Sequence, residues 1–135
     1  MHSALAFFAR LLLASLFIVA GVRKAMTFQS VAQLMAAKGF PSPDVLLVLT
    51  ILLEVGGGLL LILNWQARVA AIALALFTIA AGVIFHNFWV HIGGDAGALN
   101  NQLNHFLKNV AIAGGLVHVA AYRREATTVT PSTEA

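Results

Sequence analysis

The sequence predicts an all-α integral membrane protein, built as one up-down-up-down bundle of four spanning helices with a short amphipathic interfacial helix between helices 1 and 2. The first observation is composition: the 135 residues are 60% hydrophobic and only 10% charged, with a mean hydropathy of +0.89, whereas soluble domains carry about 25% charged residues. A small soluble domain buries only about two-thirds of its unfolded surface, so lipid is the natural solvent for this chain. The second observation is four apolar runs, each long enough to cross about 30 Å of hydrocarbon.

The four runs define the predicted membrane helices and one transmembrane domain, residues 1–122. Leu, Ala and Val dominate them, and no run shows the strand-like alternation that a transmembrane barrel requires. A cleaved signal peptide is the alternative for the first run, but no Lys or Arg precedes it and Arg10 interrupts its centre. Residues 123–135 are Thr-rich and are expected to form a disordered tail. The helices are expected at about residues 5–22, 45–63, 69–90 and 106–122.

The connections predict how the helices are joined. The short segment 64–68 makes helices 2 and 3 an antiparallel hairpin. The segment 91–105 is rich in Gly and Asn and is expected to be a loop. Between helices 1 and 2, apolar residues recur at helical spacing with polar residues between them, which is typical of a helix lying on a membrane surface. The apolar positions are Phe28, Val31, Leu34 and Met35.

Charge and cysteine content exclude several classes of function. The eight basic residues are scattered, and they form no face long enough to follow a phosphate backbone, so no nucleic-acid partner is expected. The absence of cysteine excludes thiol–disulfide exchange by this chain. Four helices place both termini on one side, and the two sides carry equal basic charge, so the positive-inside rule gives no bias. The pair Arg123–Arg124 at a helix end favours cytoplasmic termini. The basic residues compared are Arg68, Arg123 and Arg124 against Arg23, Lys24 and Lys38.

Every predicted membrane helix carries a polar residue that is costly in lipid, about 2.5–3.5 kcal/mol for a charge at the bilayer centre. Each of these residues shares a helix face with small residues, which allow membrane helices to approach closely, so we expect a buried polar cluster. Depths estimated at 1.5 Å per residue predict an Arg10–Glu54 ion pair in one half. They predict a second group near the opposite surface, made of His86, Lys108 and Asn109.

These polar residues support either a structural or a functional interpretation. Buried polar groups can simply fix helix order and register, but ionisable groups inside a membrane are by default candidates for function. His86 and His105 are the only pair at matching depth for bis-histidine haem ligation, and Lys108 would crowd them. No sequence context supports haem ligands, and no metal site is predicted.

Several motifs resemble those of the DoxX family of small four-helix bacterial inner-membrane proteins. The most specific is His-Phe-Leu-Lys-Asn at 105–109 followed by Gly-Gly-Leu at 114–116. Gly-Phe-Pro at 39–41 and Glu-Val-Gly-Gly at 54–57 agree, as does the His-Asn-Phe-Trp segment at 86–89. The resemblance covers about residues 5–122 and implies localisation in the bacterial inner membrane.

The resemblance implies a membrane subunit or adaptor of a quinone-linked oxidoreductase system, working with a soluble oxidoreductase partner rather than catalysing a reaction alone. No cofactor is assigned, and quinone is the candidate ligand. The candidate contacts for quinone or another ligand are His86, Trp89, His105, Lys108 and Asn109. Histidine suits such a site because its pKa lies near neutrality. Two alternatives remain: a small transporter or proton-conducting bundle, and a structural protein that recruits partners to the membrane. The sequence assigns no oligomeric state.

Overall fold

The computed structural model describes residues 2–122, and all the regular secondary structure within them is helical. The prediction of an all-α chain is confirmed. Five α-helices follow one another along the chain, with a short 3₁₀ helix, Phe88–His91, between the last two. The α-helices are α1 His2–Met26, α2 Phe28–Ala37, α3 Pro43–Leu63, α4 Ala67–Phe85 and α5 Ala96–Ala121.

Within residues 2–122, three segments are long and apolar enough to cross a membrane: Ser3–Met26, Pro43–Leu63 and Ala67–His91. They coincide with the first three predicted spans. The fourth predicted span lies within α5, which has 26 residues and is therefore about 39 Å long. Its first half is rich in Asn, Gln and His, which makes α5 less hydrophobic than α3 and α4.

Helix α5 begins at Ala96, inside the segment that the sequence analysis assigned to a loop. Asp95 caps this helix, because its carboxylate accepts hydrogen bonds from the backbone N–H of Gly97 at 2.8 Å and of Ala98 at 3.3 Å. An apolar run marks only the part of a helix that suits hydrocarbon. The first turns of α5 are polar, so the sequence pattern does not predict them to be helical. The predicted tail, residues 123–135, lies outside the described residues.

The predicted short helix between the first two spans is present as α2. Its residues Ala32 and Met35 are buried against Leu47 of α3, while Gln29 and Gln33 are exposed. Gly39 ends the segment with φ +83°, a backbone conformation that glycine adopts without strain. Helix α2 therefore packs one face on α3.

Helices α1 and α3 run antiparallel and approach each other at glycines. A Cβ atom on Gly58 would lie 2.7 Å from Ile18 Cγ1 and 3.2 Å from the Ala14 carbonyl oxygen. Gly21, on α1, faces Glu54 and Val55 in the same way. Close approach at small residues is how membrane helices gain packing energy where lipid removes the hydrophobic driving force.

The outer surface of α1, α3 and α4 is apolar. Leu12 is 71% exposed, Leu52 64% and Leu76 69%. A water-soluble protein rarely leaves so many large apolar side chains uncovered. The inner core consists mostly of small residues and leucines: Ala14, Phe17, Leu61, Ala70, Ala71, Leu74, Ala75, Ala113 and Leu116.

Candidate functional site

A buried ion pair joins α1 to α3. Lys24 Nζ lies 2.7 Å from Oε1 and 2.9 Å from Oε2 of Glu54. The side chain of Glu54 is only 4% exposed, and that of Lys24 is 29% exposed. Glu54 lies in the middle of α3, and Lys24 lies in the last turn of α1. The pair therefore links a deep carboxylate to an ammonium group that reaches in from the helix end.

The predicted Arg10–Glu54 pair is wrong. Arg10 instead donates from Nε to the Leu61 carbonyl oxygen at 3.1 Å. Glu54 faces Gly21 across the α1–α3 interface, and it lies two turns along α3 from Leu61, roughly 10 Å at 1.5 Å per residue. An arginine held at the level of Leu61 therefore cannot reach Glu54.

Depths estimated from a first helix ending at residue 22 favour Arg10 over Lys24 as the partner of Glu54, whereas α1 continues to Met26. The signal was present in the sequence. Lys24 follows Arg10, Ala14, Phe17 and Gly21 at alternating spacings of four and three residues, so a longer helix places it on the same stripe.

A second polar group surrounds His86 at the end of α4. His86 Nδ1 lies 3.0 Å from Gln102 Oε1, and the His86 and His105 rings stack with centroids 4.8 Å apart at 16°. Asn109 packs against α4, because a Cβ atom on Gly82 would lie 3.1 Å from Asn109 Nδ2. Gln102 was missed because its segment was assigned to a loop. In α5 it precedes His105 by one helical turn.

Lys108 and Trp89 are not buried with this group. Lys108 is exposed, and Trp89 is 42% exposed and contacts Phe88 and Phe106. Successive helical residues are about 100° apart, so turning Asn109 toward α4 turns Lys108 outward. The predicted burial of Lys108 is therefore wrong.

The His86–His105 geometry does not suit haem. The two rings stack face to face, whereas axial ligands direct their ring nitrogens at one iron from opposite sides. Within residues 2–122, no group of three or more His, Asp or Glu side chains comes together to hold a metal ion.

A cavity of about 680 Å³, here called the lateral cavity, brings the two polar groups to one space. Seventeen of its lining residues are apolar, from α1, α2, α3, α4, α5 and the turn after α2. Thr78 uses its hydroxyl hydrogen within its own helix, where it donates to the Leu74 carbonyl oxygen at 2.7 Å. The sequence analysis placed Glu54 and His86 in different halves of the protein. The polar lining residues are Lys24, Thr50, Glu54, Thr78, His86 and Asn109.

The rim of the lateral cavity is apolar and exposed. Leu16 is 45% exposed, Leu34 51%, Leu49 56% and Ile84 38%. These side chains belong to the outer apolar surface of the helices. The lateral cavity therefore opens sideways, and its polar groups lie behind an apolar entrance.

The buried polar residues do not follow one another without interruption along the bundle. Arg10 lies near one end of α1 and Lys24 near the other, and the buried residues Ala14 and Phe17 lie between them. On α3, Leu61 is likewise buried beyond Glu54. An apolar layer thus separates Arg10 from the lateral cavity.

Comparison with known proteins gives a consistent result. The sequence profile of the DoxX family matches residues 5–87, which include α1 to α4. Inner membrane protein YphA of Escherichia coli (strain K12) is 33% identical over 112 residues, which cover 83% of this chain and 78% of the relative. Inner membrane protein YqjF of the same organism is 36% identical over 112 residues with the same coverage. No solved structure matches the chain significantly.

Proposed function

Because this chain belongs to the DoxX family, we propose that it is an inner-membrane protein in which α1, α3, α4 and α5 all cross the bilayer as an up-down-up-down bundle. The packing of α5 supports this topology. Asn109 meets Gly82 near the end of α4, while His118 and Arg68 line one cleft at the start of α4. These two contacts mean that α5 runs antiparallel to α4.

Cysteine labelling tests whether α5 crosses the membrane, since the chain has no cysteine of its own. Single variants Trp65→Cys, Gly94→Cys and Ala121→Cys would be labelled in oriented vesicles with a membrane-impermeant maleimide. We expect residues 65 and 121 to react from one side and residue 94 from the other. Labelling of residues 94 and 121 from the same side would contradict a fourth span.

The lateral cavity supports binding of a lipophilic molecule with a polar head. Its volume of about 680 Å³ lies within the roughly 300–1,000 Å³ typical of small-molecule sites. The apolar rim admits a ligand from the hydrocarbon, and the polar groups behind it can fix a headgroup. Apolar walls with a few placed polar groups are the usual design of such sites.

Quinones fit this combination of an apolar body and a polar head, and when bound they supply two-electron, two-proton redox chemistry. The Lys24 ammonium and the Asn109 amide can donate hydrogen bonds to carbonyl oxygens. The Glu54 carboxylate can accept from hydroxyl groups, and so can His86 Nε2 when the hydrogen lies on Nδ1 facing Gln102. The site thus offers hydrogen-bond donors for the carbonyl groups of the oxidised quinone and acceptors for the hydroxyl groups of the reduced quinol.

The chain then serves as the membrane subunit of a quinone-linked oxidoreductase system, with electrons delivered by a soluble partner. Because the chain has no cysteine, any thiol chemistry in such a system would have to belong to that partner. The proposal depends on one observation: the buried Lys24–Glu54 pair lies in the wall of a cavity that opens toward lipid.

Quinone binding to the purified protein tests the proposal. We expect a short-chain ubiquinone analogue to bind in mild detergent, and His86→Ala and Glu54→Gln to weaken binding by about tenfold or more. A hydrogen bond to a charged group contributes about 1.5–3 kcal/mol, and about 1.4 kcal/mol corresponds to a factor of ten. Calorimetry gives the dissociation constants.

His91→Ala is the matched control, because His91 lies on the 3₁₀ helix near His86 but does not line the lateral cavity. It should bind like the parent protein. If His86→Ala and Glu54→Gln fold and also bind like the parent, the lateral cavity is not a quinone site.

A further inference from the structure

A second cleft, here called the basic cleft, lies at the opposite end of the bundle. It has a volume of about 500 Å³ and is lined by the first turns of α1, the α3–α4 turn and the end of α5. One side is apolar and includes Leu5, Ala9 and Val119. The polar lining residues are Arg10, Asn64, Gln66, Arg68, His118 and Tyr122.

The polar side of the basic cleft is cationic. Arg10 is half-buried, and its bond from Nε to the Leu61 carbonyl oxygen holds the guanidinium group in place. Among residues 2–122, no hydrogen bond or ion pair uses its two Nη atoms, so their four N–H groups can serve a ligand. Arg68 is exposed in the first turn of α4. Among the residues that the structure describes, no carboxylate lines this cleft.

The placement of these groups matches a lipid headgroup. Arg10 is bonded to Leu61 in the last turn of α3, and Arg68 lies in the first turn of α4, so both line the cleft beside the α3–α4 turn. In the proposed topology this turn lies where the hydrocarbon meets the polar surface. The apolar wall of the cleft continues along α1 and α5. Guanidinium groups match phosphate oxygens in geometry and in charge. Basic pockets between membrane helices bind anionic headgroups in this way.

We propose that the basic cleft binds the phosphate of an anionic phospholipid, with Arg10 and Arg68 on the phosphate and the glycerol and acyl chains along Leu5, Ala9 and Val119. This site is independent of the lateral cavity, because the buried layer that contains Phe17 and Leu61 lies between them. Success or failure of quinone binding therefore leaves this proposal unaffected.

Lipid binding to the purified full chain tests the proposal. Native mass spectrometry and thermal melts in detergent would compare added phosphatidylglycerol, phosphatidylcholine and inorganic phosphate at equal ionic strength. We expect phosphatidylglycerol to be retained and to raise the melting temperature more than either other addition. Arg68→Gln should weaken retention by about tenfold, because a charge-assisted hydrogen bond is lost.

Arg23→Gln is the control, because Arg23 is exposed at the other end of α1 and its loss changes net charge equally. It should retain the lipid like the parent. Arg68 is exposed, so Arg68→Gln is expected to fold even if Arg10→Gln does not. Equal weakening by Arg68→Gln and Arg23→Gln would overturn the site. Equal stabilisation by phosphatidylcholine or by inorganic phosphate would overturn the assignment to an anionic lipid.

Discussion

Lys24→Ala is expected to destabilise the protein by about 3–5 kcal/mol, because it leaves a buried carboxylate without its cation. Glu54→Ala should cost less. The Lys24 side chain is 29% exposed against 4% for Glu54, so an unpaired ammonium can extend toward the membrane surface. The free energy of unfolding, measured by denaturant titration in mixed micelles, should rank the two variants in this order.

The double variant Lys24→Ala, Glu54→Gln tests whether the loss of stability in Lys24→Ala comes from the unpaired charge on Glu54. It should be more stable than Lys24→Ala alone, since no buried charge remains. Combining Glu54→Ala with Arg10→Ala should give additive losses, because Arg10 is bonded to Leu61, two turns along α3 from Glu54, and shares no hydrogen bond with Glu54. Strong coupling between Arg10 and Glu54, with none between Lys24 and Glu54, would refute the observed pairing.

Gly58→Leu is expected to destabilise the packing of α1 on α3. Even a Cβ atom at this position would lie 2.7 Å from Ile18 Cγ1 and 3.2 Å from the backbone of Ala14. Helices α1 and α3 would have to separate, which would weaken the interface that carries the Lys24–Glu54 pair. Overpacking typically costs about 1–3 kcal/mol, which the same unfolding titration would detect.

Gly56→Leu is the matched control for this substitution. Gly56 is two residues away on α3, and a Cβ atom there meets nothing within 4 Å. It should melt at the parent temperature or above, because leucine also favours a helix more than glycine does. Equal damage at both positions would mean that α3 tolerates no side chain in this segment, whatever the distance to α1.

Composition and the apolar runs were enough to predict an all-helical membrane protein and the approximate positions of α1, α3 and α4. An apolar run marks only the part of a helix that suits hydrocarbon. It therefore places the end of α1 before Lys24, and the start of the fourth helix at residue 106 instead of Ala96. The first error favours Arg10 over Lys24 as the partner of Glu54, and the second leaves Gln102, the partner of His86, in a loop.

The misplaced helix ends also explain the errors at single residues of the candidate site. Glu54 was correctly placed inside the bundle, but its partner was chosen from depths measured to misplaced helix ends. Helical spacing puts Lys108 on the face of Gly115, and that face meets Leu13 of α1, whereas Asn109 packs against Gly82 of α4 and Lys108 is exposed. The cavity that joins Glu54 to His86 depends on how α2 packs over α3, and no spacing within one helix reveals that.

The sideways opening of the lateral cavity determines which concentration controls its occupancy. A ligand that arrives through the apolar rim, past Leu34 and Leu49, comes from the bilayer, where lipophilic molecules accumulate far above their aqueous level. The relevant quantity is therefore the mole fraction of ligand among the surrounding lipids. Even modest intrinsic binding then fills the site in a native membrane, whereas detergent micelles dilute the same ligand. Dissociation constants should accordingly be compared at a fixed ratio of ligand to lipid or detergent.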